Sequence, residues 1–380
     1  MFRQEELDFL DRLIKCKSVA PEDDGAIDTI IDFLGKNFST NKLVFGQGEK
    51  KVSNLYAEIG RGKKNLCFSG HTDVVPSGPI ENWKYSPFKL NIKNQIAFGR
   101  GMVDMKGAIF SFIVALKEFV SENIDKDAYK ISLLISGSEE GDPQYGMVSL
   151  IEWIQKNKIT INNCVVGEPT SEKKLGDTIK IGRRGSITFS LKIFGTQGHI
   201  AYPSKAHNPI TDLVKILNGL KEYNIDDGNQ YFEKSNLEIS NIEIGNSTSN
   251  IIPSEARATF NVRNNNCKTP KKIIADIKNI IEKTTKKYQL DIHENAKSFI
   301  SKPSNFTNLI KNAVREISPS SNPILSTSGG TSDARFLQEI TNVAELGLMN
   351  DTAHQINESS SIQDMYDLKR IYKEILKNYF

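Results

Sequence analysis

Long apolar runs are missing from this 380-residue chain. None reaches the roughly 20 residues that a membrane-spanning helix requires, so no membrane partner is expected. Cysteine is scarce: Cys16, Cys67, Cys164 and Cys267 lie far apart and form no C-x-x-C pair, which removes a thiolate zinc module or dithiol redox motif from consideration. Cys67 and Cys164 sit in apolar, strand-like runs and read as small buried residues, in keeping with a reducing, cytoplasmic setting. An excess of one charge is missing too. Lys and Arg number 49 against 46 Asp and Glu, a net charge of +3, and the two signs are interleaved. The most basic stretches are "KKYQLDIHENAK" and "TPKKIIADIKNIIEKTTKK". The second reads as the wet face of an amphipathic helix, no stacking or base-reading pattern accompanies either, and no nucleic-acid partner is expected. The opening "MFRQEELDFLDRL" puts acids where a signal peptide carries basic and then apolar residues. Internal repeats and low-complexity linkers are also lacking. What remains is an ordinary globular composition, 38% hydrophobic and 25% charged, on a chain long enough for two hydrophobic cores.

Helical spacing is visible over residues 4–15 and 25–38. Strand-like runs follow at "NLYAEI", "NLCFSG", "KISLLISG" and "NCVVGEP", with helical patterns between them at "MKGAIFSFIVALKEFV" and "GMVSLIEWIQKN". That alternation predicts a layered α/β domain around a buried, mostly parallel sheet. From "IKIGRRGSITFSLKIFG" the order becomes strand, helix, strand, strand, helix, strand, the split β-α-β of a ferredoxin-like sandwich. "ATFNVR" alternates strictly, as a sheet with one wet face does. The α/β pattern then resumes through "NFTNLIKNAVREI" and "NVAELG" to a last helix, "IQDMYDLKRIYKEILKNY". One α/β domain interrupted near residue 180 and resumed near 294 accounts for this order.

The predicted strands share a further property: their carboxyl ends carry ligand-type side chains. "LCFSGHTDVVPSG" places His71 and Asp73 two apart, on the same side of a strand that is running out. "GRGMVDMKGA" puts Asp104 between a Gly-rich turn and an apolar helix, where it could equally be a helix cap. "LLISGSEEGDP" ends on Glu139 and Glu140, "CVVGEP" on Glu168, and "LMNDTAHQINE" sets His354 in the loop after "NVAELG". Ligands of open α/β sheets gather at that edge. Nitrogen and oxygen donors without thiolates suit zinc, cobalt or manganese.

"SGHTDVVP", "GRGMVDMKGA", "SEEGD", "GEPT" and the His354 loop, in that order, resemble the M20 family of two-metal hydrolases across essentially the whole chain. The resemblance implies an aminopeptidase-like α/β catalytic domain built from 1–179 and 294–380, with an inserted ferredoxin-like α+β domain, 180–293, for dimerisation and as a lid. It implies two Zn2+ per subunit, Co2+ being able to substitute. Asp104 bridges the ions, His71 and Glu168 complete one site, Glu140 and His354 the other, and Asp73 supports His71. The Asp104–Met105 peptide is implied to be cis. Adjacent residues at a strand end point apart, so one of Glu139 and Glu140 is left free of a given metal. Glu139 is therefore read as the general base that takes the proton of the attacking water and then returns it to the leaving amine. His199, in "TQGHIAYP", is implied to reach the active site of the partner subunit of a homodimer and to stabilise the oxyanion. His207 and His293 are given no role.

Within the family, "GRRGS", "TQGHIAYP", "SNIIP" and "STSGGTSDARF" are most similar to the branch that splits N-succinyl-L,L-diaminopimelate into succinate and L,L-diaminopimelate, for lysine and cell-wall precursor synthesis. Deacetylation of N-acetylornithine, or another deacylase or peptidase activity of the family, is the alternative. A substrate with three carboxylates needs cationic and N–H donors. Arg183 of "GRRGS" is the first choice, since a guanidinium binds a carboxylate through two donors. Arg263 and Asn250 are placed to line the pocket from the insert, and the Gly-Gly turn is expected to enter a helix at Thr331 or Ser332, which can offer backbone N–H groups to an anion. Arg335 and Asn350 complete the set. A scaffold that binds metal without hydrolysis is the rival of another class, and an intact Glu139 beside a full ligand set speaks against it.

Overall fold

The computed structural model of the chain describes residues 1–245 and 248–380. These form two compact units: Met1–Ile181 with Ser301–Ser326 and Ser332–Phe380, and Gly182–Ile300 with Thr327–Thr331.

The first unit is built on an eight-stranded mixed sheet. At its centre the strands Lys130–Ser136, Asn65–His71, Asn163–Val166 and Asn342–Glu345 run parallel. Val52–Gly60 and Ser39–Phe45 extend it antiparallel on one side. Asn65–His71 is buried at every position, as a central strand covered on both faces must be. Side-chain alternation assigns the two covers. Phe68 stacks on Phe112 of the helix Gly107–Glu122, ring centroids 4.2 Å apart. Tyr56 stands in register with Leu134, and Leu134 with Ser69, so it points to the other face, where its ring meets Trp153 of the helix Met147–Lys156. The result is a three-layer α/β/α arrangement. The helix Ile362–Tyr379 packs along Gly107–Glu122, and its Tyr372 hydroxyl donates to the Leu346 carbonyl at 2.6 Å.

The second unit holds a four-stranded antiparallel sheet. The spatial order is Asn236–Glu243, Glu255–Asn264, Gly185–Phe194, Tyr288–Ala296. In chain order that is second, third, first, fourth, the ferredoxin-like sequence of strands. Ile187, Phe189, Leu191 and Ile193 alternate inward along Gly185–Phe194, against Ile216 and Leu220 of the helix Pro209–Glu222 and Ile273 and Ile277 of the helix Pro270–Glu282. The short strand Phe299–Ile300 pairs with Gly182–Arg183 and carries this unit through Ile300. Among the described residues no helix is long and apolar enough to cross a membrane.

Candidate metal centre

All five residues read as metal ligands meet in the first unit, at the carboxyl edge of its parallel strands. His71 closes one strand; its Nδ1 lies 2.9 Å from the Asp73 carbonyl oxygen and Nε2 3.2 Å from Asp104 Oδ1. The second carboxylate oxygen of Asp104 lies 3.1 Å from Nε2 of His354. Asp104 thus presents one oxygen to each histidine, the disposition a carboxylate needs to be shared between two cations. Glu168 Oε1 is 3.8 Å from His71 Nε2, and Glu140 Oε1 is 2.6 Å from His354 Nε2. The ligand atoms of His71, Asp104 and Glu168 fall within 4.8 Å of one another, as do those of Asp104, Glu140 and His354. Glu139 belongs to a third such group with His71 and Glu140. Two triads sharing one carboxylate fit a pair of divalent cations, and carboxylates outnumber imidazoles in the cluster, so uncompensated negative charge is what a cation would neutralise.

Local folding explains each placement. Asp104 lies on Met102–Lys106, an irregular turn (φ −123°, ψ 91° at Asp104) that leads into the helix Gly107–Glu122 rather than capping it. The Asp104–Met105 peptide is cis. Asp73 supports His71 through its carbonyl more closely than through its carboxylate, which is 3.6 Å from Nδ1. Its carboxylate is taken instead by the backbone N–H groups of Glu139 at 3.0 Å and Glu140 at 2.9 Å. Asp73 therefore orients the neighbouring acidic turn as well as the imidazole. His354 adopts a left-handed backbone, φ +63°, uncommon for a residue with a Cβ and typical of functional sites.

Electrostatics separates the carboxyl groups. Burial pushes Glu139 up to about 8, with Asp333, Glu140 and Asp73 adding to the shift against the opposing pull of His71. Burial acts the same way on Asp104, but hydrogen bonds from His354 and His71 outweigh it and hold that carboxyl below the usual range. Bonds to Asp104 and Glu140 raise His354 to about 10. Burial opposes charge on His71, yet Asp104, Asp73 and Glu168 together raise its pKa well above the ordinary value. A half-buried carboxylic acid with raised pKa beside groups with stabilised charge is the contrast an acid/base residue requires.

The remaining candidates fall elsewhere. His199, Asn250, Arg183, Arg263 and Thr331 belong to the second unit. His199 is exposed, pairs with Ile251, and accepts the Ala201 N–H on Nδ1 at 3.1 Å. The carbonyl of Asn250 accepts the Ile200 N–H, so those two candidates share one ribbon. Arg183 is buried, with Nη1 3.4 Å from the Gly330 carbonyl in the segment that bears Thr331. Thr331 does not open a helix as expected, because the next helix is the short Ala334–Leu337, with Asp333 as its N-cap. Arg263 stands opposite Ser186 and Asn236 in the sheet. Asn350 and Arg335 are in the first unit, the former donating its N–H to the Ser171 carbonyl and the latter lying over the Phe336 ring. His207 bonds Asp212 at 2.7 Å and His293 is an exposed strand residue. Three buried residues near the centre have no forerunner in the sequence reading: Arg100, Asp333 and Glu358. All three lie inside quoted motifs, Arg100 in "GRGMVDMKGA", Asp333 in "STSGGTSDARF" and Glu358 at the end of "LMNDTAHQINE", but nothing in their spacing distinguishes them from solvated charges.

The profile of peptidase family M20/M25/M40 matches residues 67–378. The chain is 45% identical over 370 residues to the succinyl-diaminopimelate desuccinylase of Ehrlichia chaffeensis, covering 97% of this chain and 96% of that one. It is 44% identical to the protein of the same name from Wolbachia pipientis wMel, covering 97% and 92%. Among solved structures, the aminopeptidase PepT of Bacillus cereus superposes with a TM-score of 0.78 at 19% identity, over 98% of this chain and 99% of that one. The YXEP protein of Bacillus subtilis, described as a dinuclear metal binding peptidase from the M20 family, gives 0.68 at 14% identity, each chain 97% covered. The chain belongs to peptidase family M20/M25/M40.

Proposed function

We propose that this protein hydrolyses N-succinyl-L,L-2,6-diaminopimelate to succinate and L,L-diaminopimelate, acting in the cytoplasm as a homodimer with two zinc ions per subunit, for which cobalt can substitute. The observation that carries the reaction class is Asp104 with one oxygen toward His71 and the other toward His354. The substrate is taken from relatives at 44–45% identity over 97% of the chain that bear that activity in their names.

Two divalent cations in this centre supply Lewis acidity, polarising an amide carbonyl and lowering the pKa of a nearby water. His71, Asp104 and Glu168 would hold one and Asp104, Glu140 and His354 the other. Glu139 removes the proton of the attacking water and delivers it to the departing amine nitrogen. Asp73 keeps Glu139 in place through its backbone N–H. His199 of the partner subunit donates from Nε2, the nitrogen left protonated in a neutral ring whose Nδ1 accepts from Ala201, to the oxygen that gains charge. Arg183, Arg263, Arg335, Asn250, Asn350 and Thr331 receive the substrate carboxylates.

The test compares hydrolysis of N-succinyl-L,L-diaminopimelate and N-acetyl-L-ornithine, with zinc and after chelation, for the unsubstituted protein and Glu139→Ala. Zinc-dependent turnover of the succinyl compound alone is expected, with kcat falling by roughly 10²–10⁴ in the variant. Turnover of the acetyl compound instead would refute the substrate assignment and leave the reaction class standing.

A further inference from the structure

Glu358 is fully buried, and its carboxylate accepts four hydrogen bonds. They come from Nη1 of Arg100 at 2.7 Å and from the backbone N–H groups of Gly101 at 3.0 Å, Val103 at 2.8 Å and Asp104 at 3.1 Å. Three backbone contacts within four residues fix the turn that presents Asp104. Arg100, 2% exposed, reaches in the other direction. Its Nη1 donates to the Gln355 carbonyl at 3.2 Å and its Nη2 to the His354 carbonyl at 3.5 Å and that of Pro76 at 3.3 Å. Its guanidinium lies 5.1 Å from the Trp83 ring centroid. One buried ion pair therefore ties the backbone carrying Asp104 to the backbone carrying His354.

The two triads depend on it unequally. His71 and Glu168 follow strands paired within the central sheet. Glu140 is held through its N–H by Asp73. His354 sits in a loop with a left-handed backbone, and the contacts from Arg100 to its carbonyl and the next join that loop to the Asp104 turn.

We propose that Arg100 and Glu358 are positioning residues that set the spacing of Asp104 and His354, and so govern cation affinity at the Asp104–Glu140–His354 position more than at the His71–Asp104–Glu168 position. Residues that support ligands in this way typically change metal affinity by about 10- to 100-fold. Replacing the carboxylate by an amide puts an N–H2 against donors that need an acceptor, and an unmatched buried polar group displaces its neighbours.

The test is calorimetric titration of the chelator-stripped full chain with Co2+, followed in parallel by the visible absorption of the bound ion. Glu358→Gln is compared with Arg100→Lys, which keeps the buried charge, loses the forked contacts to the two carbonyls, and carries the test if Glu358→Gln does not fold. Lys369→Met is the control, because Lys369 is buried against Glu118 at 2.8 Å on the helices Ile362–Tyr379 and Gly107–Glu122 and touches no ligand segment. The unsubstituted chain and the control should take up two ions. Each variant should keep one ion within about threefold of its original affinity and bind the other about 10- to 100-fold more weakly, with activity returning as Co2+ is raised. The inference rests on the two-ion reading: uptake of fewer than two ions by the unsubstituted chain overturns both. Two ions there, with equal losses or none in the variants, or equal losses in the control, overturns the positioning role alone.

Discussion

The centre shifts two carboxyl groups in opposite directions, Asp104 down and Glu139 up to about 8, and the sorting follows from what each touches. Asp104 takes hydrogen bonds from two imidazoles; Glu139 is partly buried beside Asp333, Glu140 and Asp73, and His71 only partly offsets them. His354 shares this electrostatics and yields a pH prediction with a definite sign. In a chelator-treated chain its pKa is raised from the ordinary 6.5 to about 10 by Asp104 and Glu140. The folded value lies above the unfolded one, so the stability this group contributes is complete below about 6.5 and disappears as pH rises through about 10. The Tm difference between the unsubstituted chain and His354→Gln in chelator should therefore shrink steadily from pH 6 to pH 10; a difference that widens with pH would contradict the assignment. A cation must displace the same proton, so apparent affinity should strengthen on going from pH 6 to pH 8 by up to about tenfold per unit for each proton released. Residue type and position made the five ligand-type residues visible before folding: His71, Glu140 and Glu168 at or just past strand ends, Asp104 and His354 in polar turns within quoted motifs. Glu358 was not legible: it is 255 residues from the Val103 N–H it accepts, and only the closed fold turns a charge in a polar loop into a buried brace.

Between elements, the centre depends on how closely the helix Gly107–Glu122 and its leading turn approach the sheet. Gly70 and Gly167 immediately precede His71 and Glu168, and a methyl group on either would sit 2.7 Å from Met105 Cε. At Gly167 it would also meet the Phe68 ring at 2.7 Å and Ala108 Cβ at 3.0 Å, neither of which is a flexible chain end. Gly167→Ala should accordingly destabilise by about 1–3 kcal/mol through overpacking, and should weaken cation binding because Met105 adjoins Asp104 in the same turn. Urea unfolding and Co2+ titration check both effects; an unchanged midpoint would mean that the layers have slack at this seam. Elements were the most legible level, since apolar spacing fixes a helix locally. There are exceptions: the helical spacing over 25–38 yields a helix only over Ala26–Leu34, and "IKIGRRGSITFSLKIFG" reads as one strand but folds as Thr178–Lys180, Gly182–Arg183 and Gly185–Phe194. The first piece pairs with Ile324–Ser326, the second with Phe299–Ile300 and the third with Glu255–Asn264. Strand breaks of this kind are decided by partners distant in sequence, which period and propensity do not report.

For the whole molecule, the distribution of candidates over the units carries the functional argument. The residues read as metal ligands and Glu139 lie in the first unit, while His199, Arg183, Arg263, Asn250 and Thr331 lie in the second. Thr331 joins the second through the excursion Thr327–Thr331, where Thr327 donates to the Tyr231 carbonyl at 2.5 Å and Arg183 to that of Gly330. Chain order alone would have left that segment with its neighbours, since a five-residue detour bears no compositional mark. If His199 serves the site of the partner subunit, each active site is assembled from two chains and the defects of two variants can complement. Glu139→Ala retains a usable His199 but no base; His199→Ala retains the base but supplies no donor. Each homodimer should be nearly inactive. Unfolding and refolding an equal mixture gives dimers of which half are mixed, and each mixed dimer has one site with both residues intact. Activity should then recover to about a quarter of the unsubstituted level, with a concentration dependence matching the dimer fraction measured by sedimentation. Were His199 to act within its own chain, every site in the mixed dimer would lack one of the two residues and mixing would restore nothing.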